Sequence, residues 1–98
     1  MQELRVVWDE DKAALNRRKH GVPFEEAATV FSDENALLLD DPDHSSGEDR
    51  FVLLGLSSGL RLLVVCHCYR EPGDIIRLIS ARKAVRREAQ LYGRRWKP

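Results

Sequence analysis

The sequence predicts an α+β domain built on a mostly antiparallel β-sheet. Two helical segments come early, and four strand-like segments with short connections then precede one C-terminal helix. Consecutive strands joined by tight turns pair antiparallel, and helices grouped apart from the strands define the α+β class. The 98 residues suffice for one hydrophobic core. We therefore expect a single domain over residues 1–98, with a basic tail at 93–98.

The N-terminal segment predicts a short strand followed by a helix. Residues 4–8 are a β-type run, and Asp9 is the expected N-cap of the helix, with two acids in its first turn. The helix should end at Gly21, after basic residues that suit a helix C-terminus. Lys12, Asn16 and His20 recur every fourth residue, so we expect them to share one polar face.

A second helix should follow almost at once. Pro23 suits the first helical position, and the helix should end by Ser32. The residues whose helical spacing predicts that they face the core are Phe24, Ala27, Ala28 and Phe31.

The rest of the chain predicts strands and turns before a final helix. We expect strands over residues 36–39, 48–56, 60–69 and 75–79, with an acidic loop at 40–47. Residues 80–83 should open a helix that covers about 83–92 and stops at Gly93. Strand alternation puts Cys66 and Cys68 on one face and His67 on the other, so these three cannot ligate one metal. The acidic loop lacks the twelve-residue calcium-loop pattern, and we expect no metal site there.

Charge is distributed unevenly, although the formal net charge is zero. Residues 1–49 contain 5 Lys or Arg and 13 Asp or Glu, a balance of −8. Residues 50–98 contain 11 Lys or Arg and 3 Asp or Glu, a balance of +8. A basic half can offer phosphates a favourable surface, as in proteins that bind nucleic acids. The alternative is that the two halves neutralise each other in the folded protein.

The sequence also gives an expectation for the cellular location of the protein. No apolar run approaches the ~20 residues that cross a bilayer, so we expect no membrane partner. The first eight residues are too few and too mixed for a signal peptide, which favours a cytoplasmic protein.

Residues capable of acid–base chemistry or phosphate binding concentrate between residues 60 and 92. One imidazole, His67, lies among many cations in this stretch, a combination that suits a polyanion. The cations are Arg70, Arg77, Arg82, Lys83, Arg86 and Arg87.

An ordered set of short motifs over about residues 5–92 resembles the BrnT toxins. The motifs are Trp8-Asp9-Glu10 with Lys12 and Asn16, Lys19-His20-Gly21-Val22, Phe24-Glu25-Glu26-Ala27, Gly47-Glu48-Asp49-Arg50, Gly55-Leu56-Ser57, residues 64–70, and Ile79-Ser80-Ala81-Arg82-Lys83-Ala84 with Arg87-Glu88. The resemblance implies a fold similar to the RelE ribonuclease toxins, RNA cleavage, growth arrest and a type II toxin–antitoxin role. It also implies a BrnA-type antitoxin with a ribbon-helix-helix region, and operator DNA bound only through the complex of toxin and antitoxin.

Metal-free RNA cleavage needs a base, an acid and cations that stabilise the phosphorane. Imidazole can act as acid or base, and arginine forks suit phosphate oxygens, so we predict a ribonuclease with no cofactor. The predicted catalytic residues are His67, Arg50, Arg77 and Arg82. The predicted RNA contacts are Lys19, His20, Arg70, Lys83, Arg86 and Tyr92.

Structural and functional alternatives remain open at this point. His67 could be a satisfied core histidine between two cysteines, and each arginine could simply be exposed or paired with a carboxylate. One functional alternative is a non-catalytic toxin, similar to ParE, that inhibits DNA gyrase by binding it. Another is a nucleic-acid-binding module without turnover, which would use the C-terminal helix and the basic tail.

Overall fold

The computed structural model describes residues 5–39, 50–70 and 74–95. Its elements are β1 (Arg5–Val7), α1 (Glu10–His20), α2 (Phe24–Ala28), a 3-10 helix (Thr29–Ser32), β2 (Leu37–Leu39), β3 (Phe51–Leu56), β4 (Leu62–Arg70), β5 (Ile75–Lys83) and α3 (Arg86–Arg95). The strands form one sheet in the order β1-β5-β4-β3-β2. Only the β1–β5 pair is parallel. The predicted α+β class with a mostly antiparallel sheet is therefore confirmed.

The boundaries of α1 follow local sequence signals. The Asp9 carboxylate accepts hydrogen bonds from the backbone N–H groups of Asp11 at 2.8 Å and Lys12 at 3.2 Å, which satisfies donors that a helix start leaves unpaired. Gly21 ends the helix at φ 72°, a left-handed conformation that glycine adopts without steric cost. Both predicted ends of this helix are confirmed.

Asn16 corrects the expectation of a wholly polar face on α1, because its side chain is buried. Its amide Nδ2 donates to the carbonyl oxygens of Val22 at 3.0 Å and Ala81 at 2.9 Å, and its Oδ1 accepts from the Ala81 N–H at 3.0 Å. The β1 register reaches only Ile75 to Arg77 of β5. Asn16 therefore takes the place of a neighbouring strand for Ala81, whose buried backbone groups would otherwise lack partners.

The prediction that residues 80–83 open a helix is wrong. They continue β5 and pair with β4, with Ser80 opposite Cys66 and Lys83 opposite Leu63. The β4 residues form a long β-type run that needs a partner along its whole length, and this long-range pairing overrides local helix propensity. A β-bulge near Cys66 and His67 accommodates the longer strand.

The last helix is displaced towards the C-terminus relative to the prediction. It runs from Arg86 to Arg95 and includes Gly93, which was expected to stop it. Glu88 fixes the start, because its carboxylate accepts a hydrogen bond from the Val85 N–H at 2.8 Å. The start of β4 also differs from the prediction, since this strand begins at Leu62 and not at Leu60. Leu60 is 80% exposed and has φ 61°.

Other predicted segments agree with the structure where it describes them. The second helix begins at Phe24, after Pro23, and the 3-10 helix ends at Ser32 as expected. The predicted loop at 40–47 and the first two residues of the predicted strand at 48–56 lie outside the described residues. Of the predicted basic tail, residues 93–95 belong to α3, and residues 96–98 lie outside the described residues.

The sheet separates two apolar cores. The first face packs against α1, α2 and the 3-10 helix through a cluster that includes Phe24, Val65 and Leu78. The second face packs against α3 through a smaller cluster of Leu54, Val64 and Tyr92. Because side chains alternate along a strand, neighbouring residues of β4 belong to opposite cores.

Candidate functional site

His67 lies on the first face, inside a group of aromatic rings. The His67 ring meets that of Phe31 edge to face, with centroids 4.8 Å apart, and that of Tyr69 in the same way at 5.4 Å. Phe51, opposite His67 in the strand register, lies at a centroid distance of 6.1 Å. The imidazole is 0% exposed. In this conformation it belongs to the core and contacts no solvent.

The two ring nitrogens of His67 differ in their surroundings. Nδ1 lies 3.2 Å from the carbonyl oxygen of Val65, which can only accept, so this nitrogen carries the proton. Nε2 is buried and has no hydrogen-bond partner among the described residues. Burial lowers the pKa of His67, and the hydrogen bond to Val65 opposes this only in part. The geometry therefore favours a neutral imidazole.

The strand arginines lie on the opposite, second face. Residues paired across strands share a face, and Arg82 pairs with Val64, which belongs to the second core. By the same register Arg77, opposite Cys68, and Arg70, opposite Ile75, lie on this face. Arg50 directly precedes β3, and the alternation of that strand assigns it to the same side. We call these four residues the arginine face.

Arg82 is bound within the fold by Glu88 of α3. Its guanidinium donates from Nη1 to Oε1 at 2.9 Å and from Nη2 to Oε2 at 2.8 Å. This bidentate salt bridge raises the pKa of Arg82 and lowers that of Glu88. Since Glu88 also caps the start of α3, Arg82 fixes the helix to β5. A phosphate at Arg82 would have to compete with this carboxylate.

The sheet therefore divides the predicted catalytic set. His67 packs beneath the helices, whereas Arg50, Arg77 and Arg82 lie on the other side of the same strands. The register places the arginines on one face of the sheet and the imidazole on the other. Joint catalysis by all four residues stays a prediction, and direct participation of His67 would require its aromatic cover to open.

Tyr92, predicted to stack on a base, is part of the second core and only 9% exposed. Its hydroxyl donates a 2.7 Å hydrogen bond to Oδ2 of Asp33, which also accepts from the Leu56 N–H at 2.8 Å. Burial raises the pKa of Asp33, but these hydrogen bonds and one from the Asn35 N–H hold it below its usual value. Tyr92 thus attaches α3 to the connection that precedes β2.

A second charged link joins α2 to the turn between β3 and β4. The Glu26 carboxylate accepts from Nε of Arg61 at 2.9 Å and from the Ser57 hydroxyl at 2.6 Å, and it also forms an ion pair with NH2 of Arg61. Hydrogen bonds from Arg61 and Ser57 lower the pKa of Glu26 from 4.5 to about 2. Sequence analysis missed this link, because Glu26 and Arg61 are 35 positions apart.

Lys19 and His20 lie away from the arginine face, beside a groove between α1 and β5. The groove has a volume of about 440 Å³. Its lining comprises Lys12, Leu15, Asn16, Arg18, Lys19, His20, Ile79 and Ser80. The predicted shared face of Lys12, Asn16 and His20 lines this groove, whereas sequence analysis missed Leu15 and Arg18 as members of the group. The spacing of Lys12, Leu15 and Lys19 at i, i+3 and i+7 was the available signal, since such residues share a helix face.

The two remaining predicted RNA contacts occupy exposed positions near the start of α3. Lys83 is the last residue of β5 and pairs with Leu63, which belongs to the first core. Arg86 is the first residue of α3. Both side chains are accessible to a polyanion, and their role stays a prediction.

Across residues 5–39, 50–70 and 74–95, no three His, Cys, Asp or Glu side chains come together as a group that could hold a metal ion. Within the same ranges, no helix is both long and apolar enough to span a bilayer.

Comparisons with known proteins agree with the fold. The model of the family described as ribonuclease toxin, BrnT, of type II toxin–antitoxin systems matches residues 8–88. Among solved structures, the chain is similar to the 1.1 Å crystal structure of the Brucella abortus ribonuclease toxin BrnT, with a TM-score of 0.65. The two chains are 24% identical, and the match covers 85% of this chain and 99% of that one. A comparison with curated proteins found no significant match.

Proposed function

The chain belongs to the BrnT family of ribonuclease toxins of type II toxin–antitoxin systems, and from this premise we propose that it is a metal-independent endoribonuclease whose arginine face binds the scissile phosphate. The observation that carries the proposal is the family match over residues 8–88. The location of the phosphate site on this face is supported by the arginines that three strands and their flanks direct to one side of the sheet. Among polyanions, RNA is the substrate class of this family.

The proposed reaction is an internal transfer at phosphorus. The 2′-hydroxyl oxygen attacks the adjacent phosphorus, the bond to the 5′-oxygen breaks, and a 2′,3′-cyclic phosphate and a 5′-hydroxyl result. One proton leaves the 2′-hydroxyl and another reaches the 5′-oxygen. Arg77 and Arg50 would donate to the nonbridging oxygens, where negative charge increases in the transition state. Arg70, which is exposed, would hold a neighbouring phosphate.

Proton transfer needs a group that can reach the 2′-hydroxyl and the 5′-oxygen. His67 is the predicted acid or base, and its neutral form has the lone pair on Nε2 that a base requires. For this nitrogen to reach RNA, the rings of Phe31, Phe51 and Tyr69 must separate. Tyr69 is 47% exposed and lies at the edge of the cluster, so it would be the ring to move first.

The finer details of the biological role are proposed by analogy with the family. We propose that the chain acts in the cytoplasm, that RNA cleavage arrests growth, and that a BrnA-like ribbon-helix-helix antitoxin neutralises it. Operator DNA would be bound only through the complex with that antitoxin. The family match supports an antitoxin partner in general terms.

A second candidate function is toxicity by binding alone. The specific observation in its favour is that His67 is 0% exposed and lies on the face opposite the arginines. A toxin that inhibits a protein or nucleic-acid target by binding needs cations but no acid–base group. Under this alternative the arginine face would be a recognition surface.

The test is cleavage of a labelled RNA by the purified chain, without antitoxin, in the presence of EDTA. We expect fragments that end in 2′,3′-cyclic phosphate. Arg77→Gln should lower the cleavage rate by about 100-fold or more, as loss of one donor to a developing oxyanion typically does. Arg77→Lys keeps the charge but removes the planar fork, so its rate should be intermediate. Arg87→Gln is the matched control, because Arg87 is exposed on α3.

His67 needs a pair of variants, because removing a buried ring also destabilises the core. His67→Phe keeps an aromatic ring but has no proton to exchange, whereas His67→Ala opens a cavity. If His67 transfers a proton, both variants lose cleavage while His67→Phe stays folded by circular dichroism. Intact RNA with wild type, together with growth inhibition that survives His67→Phe, would refute the ribonuclease proposal and favour binding alone.

A further inference from the structure

The groove between α1 and β5 is a second cationic surface, separate from the arginine face. We propose that it binds an acidic amphipathic segment of the antitoxin, an inference that rests on the proposed toxin–antitoxin function. The groove holds about 440 Å³, and its position beside α1 places it on the helix-covered side of the sheet. The partner would therefore contact this groove without occupying the arginine face.

The charge of the groove selects an anionic partner. Lys12, Arg18 and Lys19 contribute three cations, His20 adds an imidazole, and none of the described carboxylates lines the groove. Lys12, Arg18 and Lys19 form no ion pair with any residue in the described parts of the chain. Opposite charges brought together from two chains steer association and fix the register of binding.

The apolar part of the groove selects an amphipathic partner. Leu15 is 60% exposed and lies between Lys12 and Lys19 on one face of α1. Ile79 extends the apolar floor on β5. Lys12 and Lys19 are separated by two helical turns, a rise of about 10 Å. A partner helix with carboxylates seven positions apart and apolar residues between them would match this stripe.

The floor of the groove is rigid, which favours binding. Asn16 lines it and makes hydrogen bonds to the backbone of Ala81 and Val22, so α1 and β5 are fixed to one another. A surface already held in its binding shape loses little conformational entropy when a partner docks.

One observation favours a protein over RNA at this groove. Among the described residues, no aromatic side chain lines it, so bases have no ring to stack on. Lys19 and His20, predicted from the sequence to contact RNA, are thereby assigned to the antitoxin.

The test uses the double variant Lys12→Glu with Leu15→Asp, which reverses one charge and makes the apolar stripe polar. Neither residue belongs to the arginine face, and both side chains are exposed on α1, so the fold should persist. Arg17→Glu is the matched control, since it reverses an exposed charge on the same helix outside the groove. The probe is the antitoxin protein encoded in the same toxin–antitoxin module.

Two measurements are made on each variant: antitoxin affinity by titration calorimetry and RNA cleavage with increasing antitoxin. We expect the double variant to bind antitoxin at least about tenfold more weakly, with cleavage alone within about twofold of wild type. Arg17→Glu should match wild type in both. Carbodiimide, which couples amines to adjacent carboxylates, should link Lys12 or Lys19 to Asp or Glu residues of the antitoxin.

Other outcomes would overturn the inference. Unchanged antitoxin affinity in the double variant would show that the groove is not the docking surface. Loss of RNA cleavage with unchanged antitoxin affinity would make the groove an RNA site instead. If wild type cleaves no RNA, the proposed function fails, while the calorimetry still decides whether the antitoxin binds here.

Discussion

Replacement of Glu26 by glutamine should destabilise the fold in a pH-dependent way. The carboxylate of Glu26 joins α2 to the turn between β3 and β4 through Arg61 and Ser57. Glutamine keeps the shape of the side chain but removes its charge, so Arg61 loses its ionic partner. Glu25→Gln is the matched control, because it removes the same charge from the adjacent, exposed position of α2.

The magnitude follows from the pKa of Glu26, which falls from 4.5 to about 2 on folding. Such a shift stabilises the folded state by up to about 3 kcal/mol at neutral pH. Because the Arg61 side chain is 32% exposed, solvent screening reduces the expected contribution to about 1–2 kcal/mol. Since the folded-state pKa of Glu26 is the lower one, this stabilisation is fully present above pH 4.5 and declines as the pH falls towards about 2.

Urea unfolding at about pH 7 and about pH 3 measures this contribution. At pH 7, Glu26→Gln should have a free energy of unfolding about 1–2 kcal/mol below wild type, and Glu25→Gln should be within about 0.5 kcal/mol of it. At pH 3 the gap between Glu26→Gln and wild type should shrink to less than half, because Glu26 is then protonated in the unfolded chain and must lose this proton on folding. A gap of equal size at both pH values would refute the reasoning.

Other predictions concern packing and the links between elements. Tyr92→Phe removes the hydrogen bond to Asp33 but keeps the ring, and should lower the free energy of unfolding by about 1–2 kcal/mol in urea. Gly55→Ala should cost about 1–3 kcal/mol, because a Cβ there would lie 2.7 Å from Cγ1 of Val30. Gly93→Ala, in α3 with no atom within 4 Å of the added Cβ, should raise the melting temperature instead. Asn16→Leu should cost about 2–4 kcal/mol in urea unfolding, because it leaves buried backbone groups of β5 unpaired; a variant as stable as wild type would show that Asn16 does not support the strand edge.

The sequence predicted the elements whose signals are local. Asp9 and Gly21 bound α1 through contacts within four residues, and both were readable from residue type alone. The boundary between β5 and α3 was not readable, because residues 80–83 have helical propensity and become a strand only through pairing with β4. Asn16 escaped recognition for the same reason, since its partner Ala81 is 65 positions away.

The geometry of the candidate site also depends on long-range pairing that the sequence does not reveal. The residue types that bind phosphate were visible in the sequence, but their distribution over two faces depended on the strand register. The β-bulge at His67 shifts that register by one residue on β5, so that Leu78 rather than Ile79 lies opposite the imidazole. No pattern within one strand reveals a bulge that arises between two.

The uneven charge of the chain can now be related to the positions of its acids and arginines in the fold. Acids of the N-terminal half are used within the fold, where Asp9 caps α1, Glu26 binds Arg61 and Asp33 holds Tyr92. These carboxylates stabilise the helix-covered side and the position of α3. The C-terminal half supplies β4, β5 and α3, which direct arginines to the second face. The opposed charges of the two halves are therefore used differently: acids of the first half stabilise the scaffold, whereas arginines of the second half, among them Arg82 paired with Glu88, lie on one face of the sheet.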